Sequence, residues 1–240
     1  MANEEPTQVK TVEEFMQQPE EFRVAIQKIV QSHAINELYG SQVFDEPAIA
    51  LAPTPHAKWL TCRVAMEEYG HHLRFAELGE AIGIPHDDLV PRTDGKQPLS
   101  IMGFPMTSWA EFCVLKLVGD LAEILQVEDL LHCTFHPLRN LARMTMPEER
   151  FHCQFGEDFC SDLIEEEGQR QQVQDALDKI FPEMPAFFES SDSKNNKIFR
   201  KWGIKLRTND EMRDDYIERA RELVEGKLGL TLPDIAARAA

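Results

Sequence analysis

The chain has 240 residues, 42% of them apolar, and 42 acids against 25 bases leave a formal charge of −17. At roughly 100–200 residues per domain this length holds one large domain or two small ones, with enough chain for a full core. The charge speaks against nucleic acid and anionic membrane, both of which select basic surface, and no apolar run approaches the ~20 residues of a spanning helix.

Residues 1–10 are polar. From Val12 to Tyr39 the apolar side chains recur in steps of three and four (Phe15, Phe22, Ile26, Ile29, Val30, Ile35, Leu38), which is a helical period. Gly40 to Pro55, with its three prolines, reads as a loop or a broken segment. Ala57 to Ile82 predicts a second long helix, stopped by Gly83 and Pro85, and His86 to Ser100 is rich in turn residues. Ser108 to Leu131 predicts a third; with Ser108 as N-cap, Glu111 stands where a capping box needs it. A fourth helical stretch, Leu138 to Gly168, contains Pro147, which either kinks it or restarts it near N1. Shorter helices are expected over Gln171–Ile180 and Glu211–Gly226, separated by a Pro-, Ser- and Asn-rich stretch. Strand signals are nearly absent, so the expected fold is all-α, built on four long helices. MANEEPTQVK lacks the basic and apolar regions of a signal peptide. The five cysteines (Cys62, Cys113, Cys133, Cys153, Cys160) show no C-x-x-C spacing and fit free thiols in a reducing cytoplasm.

Two segments read Glu-x-x-His: Glu68 with His71 in the second long helix, and Glu149 with His152 in the fourth. Residues i and i+3 share a helix face, so each pair can present an oxygen and a nitrogen to one point. Taken alone the motif is weak, and Asp129 with His132 has the same spacing. Context strengthens the first two. Glu37 stands 31 residues before Glu68 and Asp120 stands 29 before Glu149, each within an apolar helical stretch. One acid, then one Glu-x-x-His, twice over, is the donor set of a di-iron or di-manganese carboxylate bundle. Four carboxylates buried together need cations to offset them, and oxygen with imidazole suits iron or manganese. The plain alternative is a bundle with scattered surface acids. Glu67 and His72 duplicate the residue types one step aside, where they read as outer support or surface. His33, one turn before Glu37, reads either as a partner of a ligand carboxylate or as a core histidine.

From Lys194 to Arg207 there are six bases and no acid (Lys194, Lys197, Arg200, Lys201, Lys205, Arg207), interleaved with Phe199 and Trp202. Such a stretch could hold a phosphorylated small molecule, with an aromatic beside an adenine ring. It could equally pair with the acidic bundle surface or with an acidic partner.

The segments SHAINELYG, MEEYGHH, LVGD and PEERFHCQFG, with the tail segments KWGIKLRTNDEMR and LGLTLPD, resemble the catalytic subunits of the phenylacetyl-CoA epoxidase family, within the ferritin-like superfamily. The likeness spans roughly Phe22 to Asp234. The polar N-terminal segment over 1–20 is expected to be partly disordered, and the likeness implies a ferritin-like bundle over 21–180 and an extension over 181–240 that packs on the bundle and contacts coenzyme A. It implies six metal ligands, which are also the catalytic set: Glu37, Glu68, His71, Asp120, Glu149 and His152. Lys197, Lys201 and Lys205 are the implied coenzyme A contacts. The implied activity is oxygen insertion from O2 into the aromatic ring of an aryl acyl-CoA such as phenylacetyl-CoA. The implied cofactor is two iron ions, in preference to manganese. A related metal-free helical subunit is one implied partner. A separate reductase is the other, since the chain has no Gly-x-Gly-x-x-Gly and no cysteine pattern for an iron–sulfur cluster. The rival readings are a ferritin-like iron-binding or iron-oxidising protein and a non-catalytic scaffold subunit of a multicomponent oxygenase.

Overall fold

The computed structural model describes residues 7–92, 103, 105–166 and 168–234. Nine α-helices run through them: α1 (Val12–Met16), α2 (Glu20–Gly40), α3 (Glu46–Leu51), α4 (Pro55–Ala81), α5 (Trp109–Leu130), α6 (His136–Glu165), α7 (Arg170–Ile180), α8 (Lys194–Lys201) and α9 (Asn209–Arg221). No strand occurs among the described residues; one isolated bridge joins Val9 to Phe135. The architecture is the expected all-α, ferritin-like bundle of four long helices. Helix α2 packs on α4, α5 packs on α6, and α4 meets α6 to close the bundle.

Local chemistry explains the helix ends. Thr54 accepts from Ala57 N at 3.1 Å with Pro55 opening α4, so the first turn is capped and its missing N–H costs nothing. Ser108 caps α5, as expected, but the box is displaced by one residue. The Glu111 carboxylate takes the backbone N–H of Thr107, at 2.9 Å, instead of that of Ser108. Helix α5 is apolar on nearly every side (Phe112, Val114, Leu117, Leu121, Leu125), and the structure buries it on all of them.

Several expectations need correction. The run from Val12 to Tyr39 is two helices, because Pro19 halts the first and caps the second. The segment expected as a loop after Gly40 stays helical. Ser41–Asp45 forms a π-helical turn that passes directly into α3. The Ser41 hydroxyl donates to the Glu37 carbonyl at 2.6 Å, competing with the helix's own bonds where the ladder widens. Helix α6 runs unbroken through Pro147, which lies on its exposed side. The N-terminal segment, expected to be partly disordered, is tied down from Val9 onward. Val9 N donates to Thr134 O at 2.9 Å, His136 N donates to Val9 O at 2.8 Å, and Phe15 is fully buried. Residues 1–6, and 93–100 of the expected turn-rich stretch, lie outside the described residues.

The segment after residue 180 is anchored by aromatic packing. Tyr216 is fully buried between Phe181 and Phe188, and its hydroxyl donates to Val118 O at 3.0 Å. Among the described residues no helix is long and apolar enough to cross a membrane.

Among the described glycines the closest approach is at Gly156 of α6, where a Cβ would lie 2.3 Å from the Leu117 backbone nitrogen. Backbone cannot yield as a flexible side chain can, so Gly156→Ala should push α5 and α6 apart. The expected loss is about 3 kcal/mol, read as a lower denaturant midpoint with an unchanged slope; an unaltered midpoint would contradict this packing.

Candidate metal centre

Each long helix delivers its expected donors to one point. Helix α2 supplies Glu37, α4 supplies Glu68 and His71, α5 supplies Asp120, and α6 supplies Glu149 and His152; all six are buried. They form two overlapping groups, each with donor atoms within 4.8 Å of one another: Glu37, Glu68, His71 and Glu149, and Glu68, Asp120, Glu149 and His152. Glu68 and Glu149 belong to both. The two oxygens of Glu68 divide between the groups, Oε2 lying 3.2 Å from His71 Nδ1 and Oε1 lying 3.2 Å from His152 Nδ1. Glu149 does the same, with Oε1 at 3.1 Å from His71 Nδ1 and Oε2 at 3.9 Å from His152 Nδ1. The arrangement thus offers two places where a cation could sit, one on the His71 side toward α2 and one on the His152 side toward α5.

The outer nitrogens are braced crosswise. His71 Nε2 lies 2.9 Å from Glu148 of the opposite motif, and His152 Nε2 lies 2.9 Å from Glu67. Arg74 holds Glu148 at 2.5 Å and Arg63 holds Glu67 at 2.8 Å. A carboxylate on Nε2 fixes the tautomer that leaves Nδ1 free to take a metal. Glu67 is thus the outer support the sequence allowed. Glu148 was missed, although the doubled reading Glu-Glu-x-x-His at 67–71 and 148–152 was there to find.

The remaining candidates separate cleanly. His72 Nδ1 meets the Ala34 carbonyl at 2.8 Å and serves the α2–α4 contact. His33 stacks on Phe75 and lies 3.1 Å from Glu123 and 3.8 Å from Glu37, so it adjoins the centre. Asp129 accepts from Arg207 Nε at 3.0 Å and from the backbone N–H groups of Leu206 and Arg207, which makes it an anchor for the tail. Cys153 points its thiol at the Leu117 carbonyl.

Two residues in the centre have no counterpart in the expected set. Lys116, buried in α5, places its ammonium 2.5 Å from Glu68 Oε1, 3.1 Å from Asp45 Oδ1 and 3.5 Å from Asp120 Oδ2. Asp45 closes the π-helical turn and is equally buried. A lysine one turn before Asp120, in an otherwise apolar stretch, was the available signal.

These contacts set the protonation of the metal-free centre. Burial drives Glu37 and Asp120 up from their ordinary values, Asp45 to about 6 and Glu149 to about 7. Glu68 goes the other way. Burial opposes its ionisation, but the charges of Lys116 and His152 prevail and hold it well below the usual carboxylate range. Burial also opposes protonation of His152, yet the Glu68 charge and hydrogen bonds to Glu67 and Glu68 lift it to about 10. Apart from Glu68, the shifts of these groups favour their protonated forms.

The donor set fits metal ions. Asp120 Oδ2, Glu149 Oε1 and His152 Nδ1 are buried and make no well-aligned hydrogen bond among the described residues, although each lies within 3.5 Å of a charged group: Lys116, His71 and Glu68 respectively. Such under-satisfied atoms cost free energy unless something binds them, and all three face the shared centre. The cluster could hold two divalent cations through oxygen and imidazole.

A cavity of about 470 Å³ opens beside the centre, lined in part by Lys28, His33, Asn36, Glu123, Phe187 and Lys205. Asn36, Glu123 and Phe187 also line a smaller pocket that reaches Glu37, Glu68, Asp120 and Glu149. Of the three lysines singled out in the tail, Lys205 lines the cavity and bonds Gln126. Lys201 turns away to pair with Glu21, and Lys197 is exposed on α8. Lys28, which bonds Asn195 across the cavity edge, was not anticipated.

The model of the family described as phenylacetic acid catabolic protein matches residues 4–239. Among curated proteins, the A component of 1,2-phenylacetyl-CoA epoxidase from Escherichia coli (strain K12) is 29% identical over 221 residues, which cover 90% of this chain and 71% of that relative.

Two outcomes follow from the geometry. Metal binding must displace protons from His152, about 10, and Glu149, about 7, so manganese(II) affinity should rise between pH 6 and pH 8 by about tenfold per unit for each proton released. Calorimetry in buffers of different ionisation enthalpy counts those protons. In the metal-free protein the sign is opposite: stabilisation from the protonated His152 is complete below its ordinary 6.5 and is lost as pH rises through about 10. Separately, Glu148→Gln should weaken metal binding about 10–100-fold by loosening His71, measured by the same titration; an unchanged affinity would dismiss the brace.

Proposed function

Because the chain belongs to the phenylacetic acid catabolic protein family, we propose that it is the oxygen-activating subunit of a multicomponent monooxygenase that acts on an aryl acyl-CoA such as phenylacetyl-CoA. Glu37, Glu68, His71, Asp120, Glu149 and His152 would hold two iron ions. When bound, the iron pair supplies activation of O2, with one oxygen atom going to the aromatic ring as a 1,2-epoxide and the other to water. The observation that carries this reading is the sharing of Glu68 and Glu149 between two donor groups, since the two oxygens of each carboxylate lie toward different histidines.

The chain's own residues supply the rest. Glu67 and Glu148 keep both imidazoles turned with Nδ1 toward the centre. The large cavity suits an extended ligand, with Lys28 and Lys205 as cations for phosphate groups. Lys197 and Lys201 of the same basic stretch lie outside it and would meet only a ligand that continues past the mouth. Phe187, Asn36 and Glu123 form the neck between cavity and centre, where an aryl group would be presented. Packing of α5 between its neighbours keeps bulk water away from the donors. Electrons would come from a separate reductase, and a related metal-free helical subunit would complete the assembly.

One observation favours the scaffold alternative: the Lys116 ammonium already lies among three carboxylates. Metal analysis after anaerobic iron loading separates the two, with about two irons per chain expected for the oxygenase and none for the scaffold. Exposure of the loaded protein, with reductant and partner subunit, to O2 and a panel of aryl-CoA thioesters should give a product heavier by one oxygen. Glu149→Ala should abolish turnover; a variant with full activity would refute the assignment.

A further inference from the structure

The two cation positions are not equivalent. The position toward α2 is framed by Glu37, Glu68, His71 and Glu149, and Lys116 touches only Glu68 among these, through the oxygen turned the other way. The position toward α5 is already engaged. Glu68 Oε1, which faces His152, is the atom that Lys116 bonds at 2.5 Å, and Asp120 Oδ2 lies 3.5 Å from the same ammonium. A lysine ammonium and a divalent cation held on the same carboxylate oxygen repel at close range in a medium that screens poorly, so the ammonium in its present place weakens ion binding there.

Asp45 gives the ammonium somewhere to go. It is buried, belongs to neither donor group, and lies 3.1 Å from Lys116 Nζ. The small pocket beside these groups is lined by Asp45, Glu68, Lys116 and Asp120, with about 70 Å³ of free space. The π-helical turn is what carries Asp45 to this depth. Building on the metal-site reading above, we propose that Lys116 is an internal cation that guards the α5-side position: the α2-side metal binds first, and the second binds only as the Lys116 ammonium withdraws from Glu68 and Asp120 onto Asp45. Loading is thereby ordered, and the metal-free centre keeps a positive charge where a second metal would otherwise be needed to offset its carboxylates.

Lys116 acts here through the ligands and is a positioning residue. The test is titration of the metal-free protein with cobalt(II), followed by calorimetry and by the visible absorption bands of bound cobalt. The native protein should bind two ions in separated steps, the second weaker. Lys116→Met should raise the second affinity at least tenfold and leave the first within threefold. Asp45→Asn should do the reverse to the second step, weakening it at least tenfold, because the ammonium loses its retreat. The double variant Lys116→Met, Asp45→Asn should return to the tight second step, since Asp45 matters only through the lysine. A merely structural Lys116 would lower thermal stability and leave the separation of the two steps unchanged, and that result overturns the proposal. So does a loss of second-site affinity in Lys116→Met. Failure of the native protein and every variant to bind any ion would instead remove the metal-site reading itself, which keeps the two failures distinct.

Discussion

Burial of several carboxylates around one point is the constraint on which this molecule turns. Glu37, Glu68, Asp120 and Glu149 converge from four helices, with Asp45 beside them, in a region that water scarcely reaches. Ionised together and uncompensated, they would repel one another too strongly for the bundle to close. The metal-free protein meets this in two ways. Four of the acids, Glu37, Asp45, Asp120 and Glu149, hold their protons more tightly than usual because burial raises each above its ordinary value. Positive charge is supplied by Lys116, His71 and His152, all of them buried and all held in their charged forms. Divalent cations would do the same with fewer groups, and the buried oxygens and nitrogen that lack well-aligned hydrogen bonds are candidate donors to them.

The bundle exists to hold this arrangement still. Spacing of three residues on α4 and α6 places each Glu beside its His, and the packing of those helices brings the two motifs face to face. The cross-bracing of His71 by Glu148 and His152 by Glu67 then uses the residue just before each Glu of the Glu-x-x-His motifs, so one short segment supplies both a Glu–His pair and the support for its opposite number. Arg63 and Arg74 close the brackets from the surface, Arg63 also lying over the Phe151 ring. Helices α5 and α6, which carry Asp120 and the pair Glu149 and His152, approach closely where Gly156 meets the Lys116–Leu117 backbone.

Access comes from the opposite side. The cavity lies among α2, α5 and the segment that carries Phe187 and Lys205, while the histidine braces face α4 and α6. That segment is held by Tyr216 against the core and by Arg207, which binds Asp129, Asp215 and the Leu125 carbonyl at once. Much of the basic stretch thus has a mechanical task, and only part of it faces the cavity. Composition alone could not divide these roles, because a lysine paired with Glu21 and one lining a cavity carry the same charge and the same side chain.

The amino-acid sequence by itself determined the helical class, the four long helices and the two Glu-x-x-His pairs. Period, caps and i,i+3 spacing are local properties, and local geometry turns them into faces and ligand pairs without reference to the rest of the chain. Tertiary structure decided everything that depends on which helices touch. Glu148 became a brace only because α6 lies against α4. Lys116 became a charge in the centre only because α5 presents it to Glu68. Asp45 arrived through a π-helical turn that the prolines around it disguised as a loop. Contacts between distant residues are set by packing, and packing is a property of the assembled bundle that no single segment encodes.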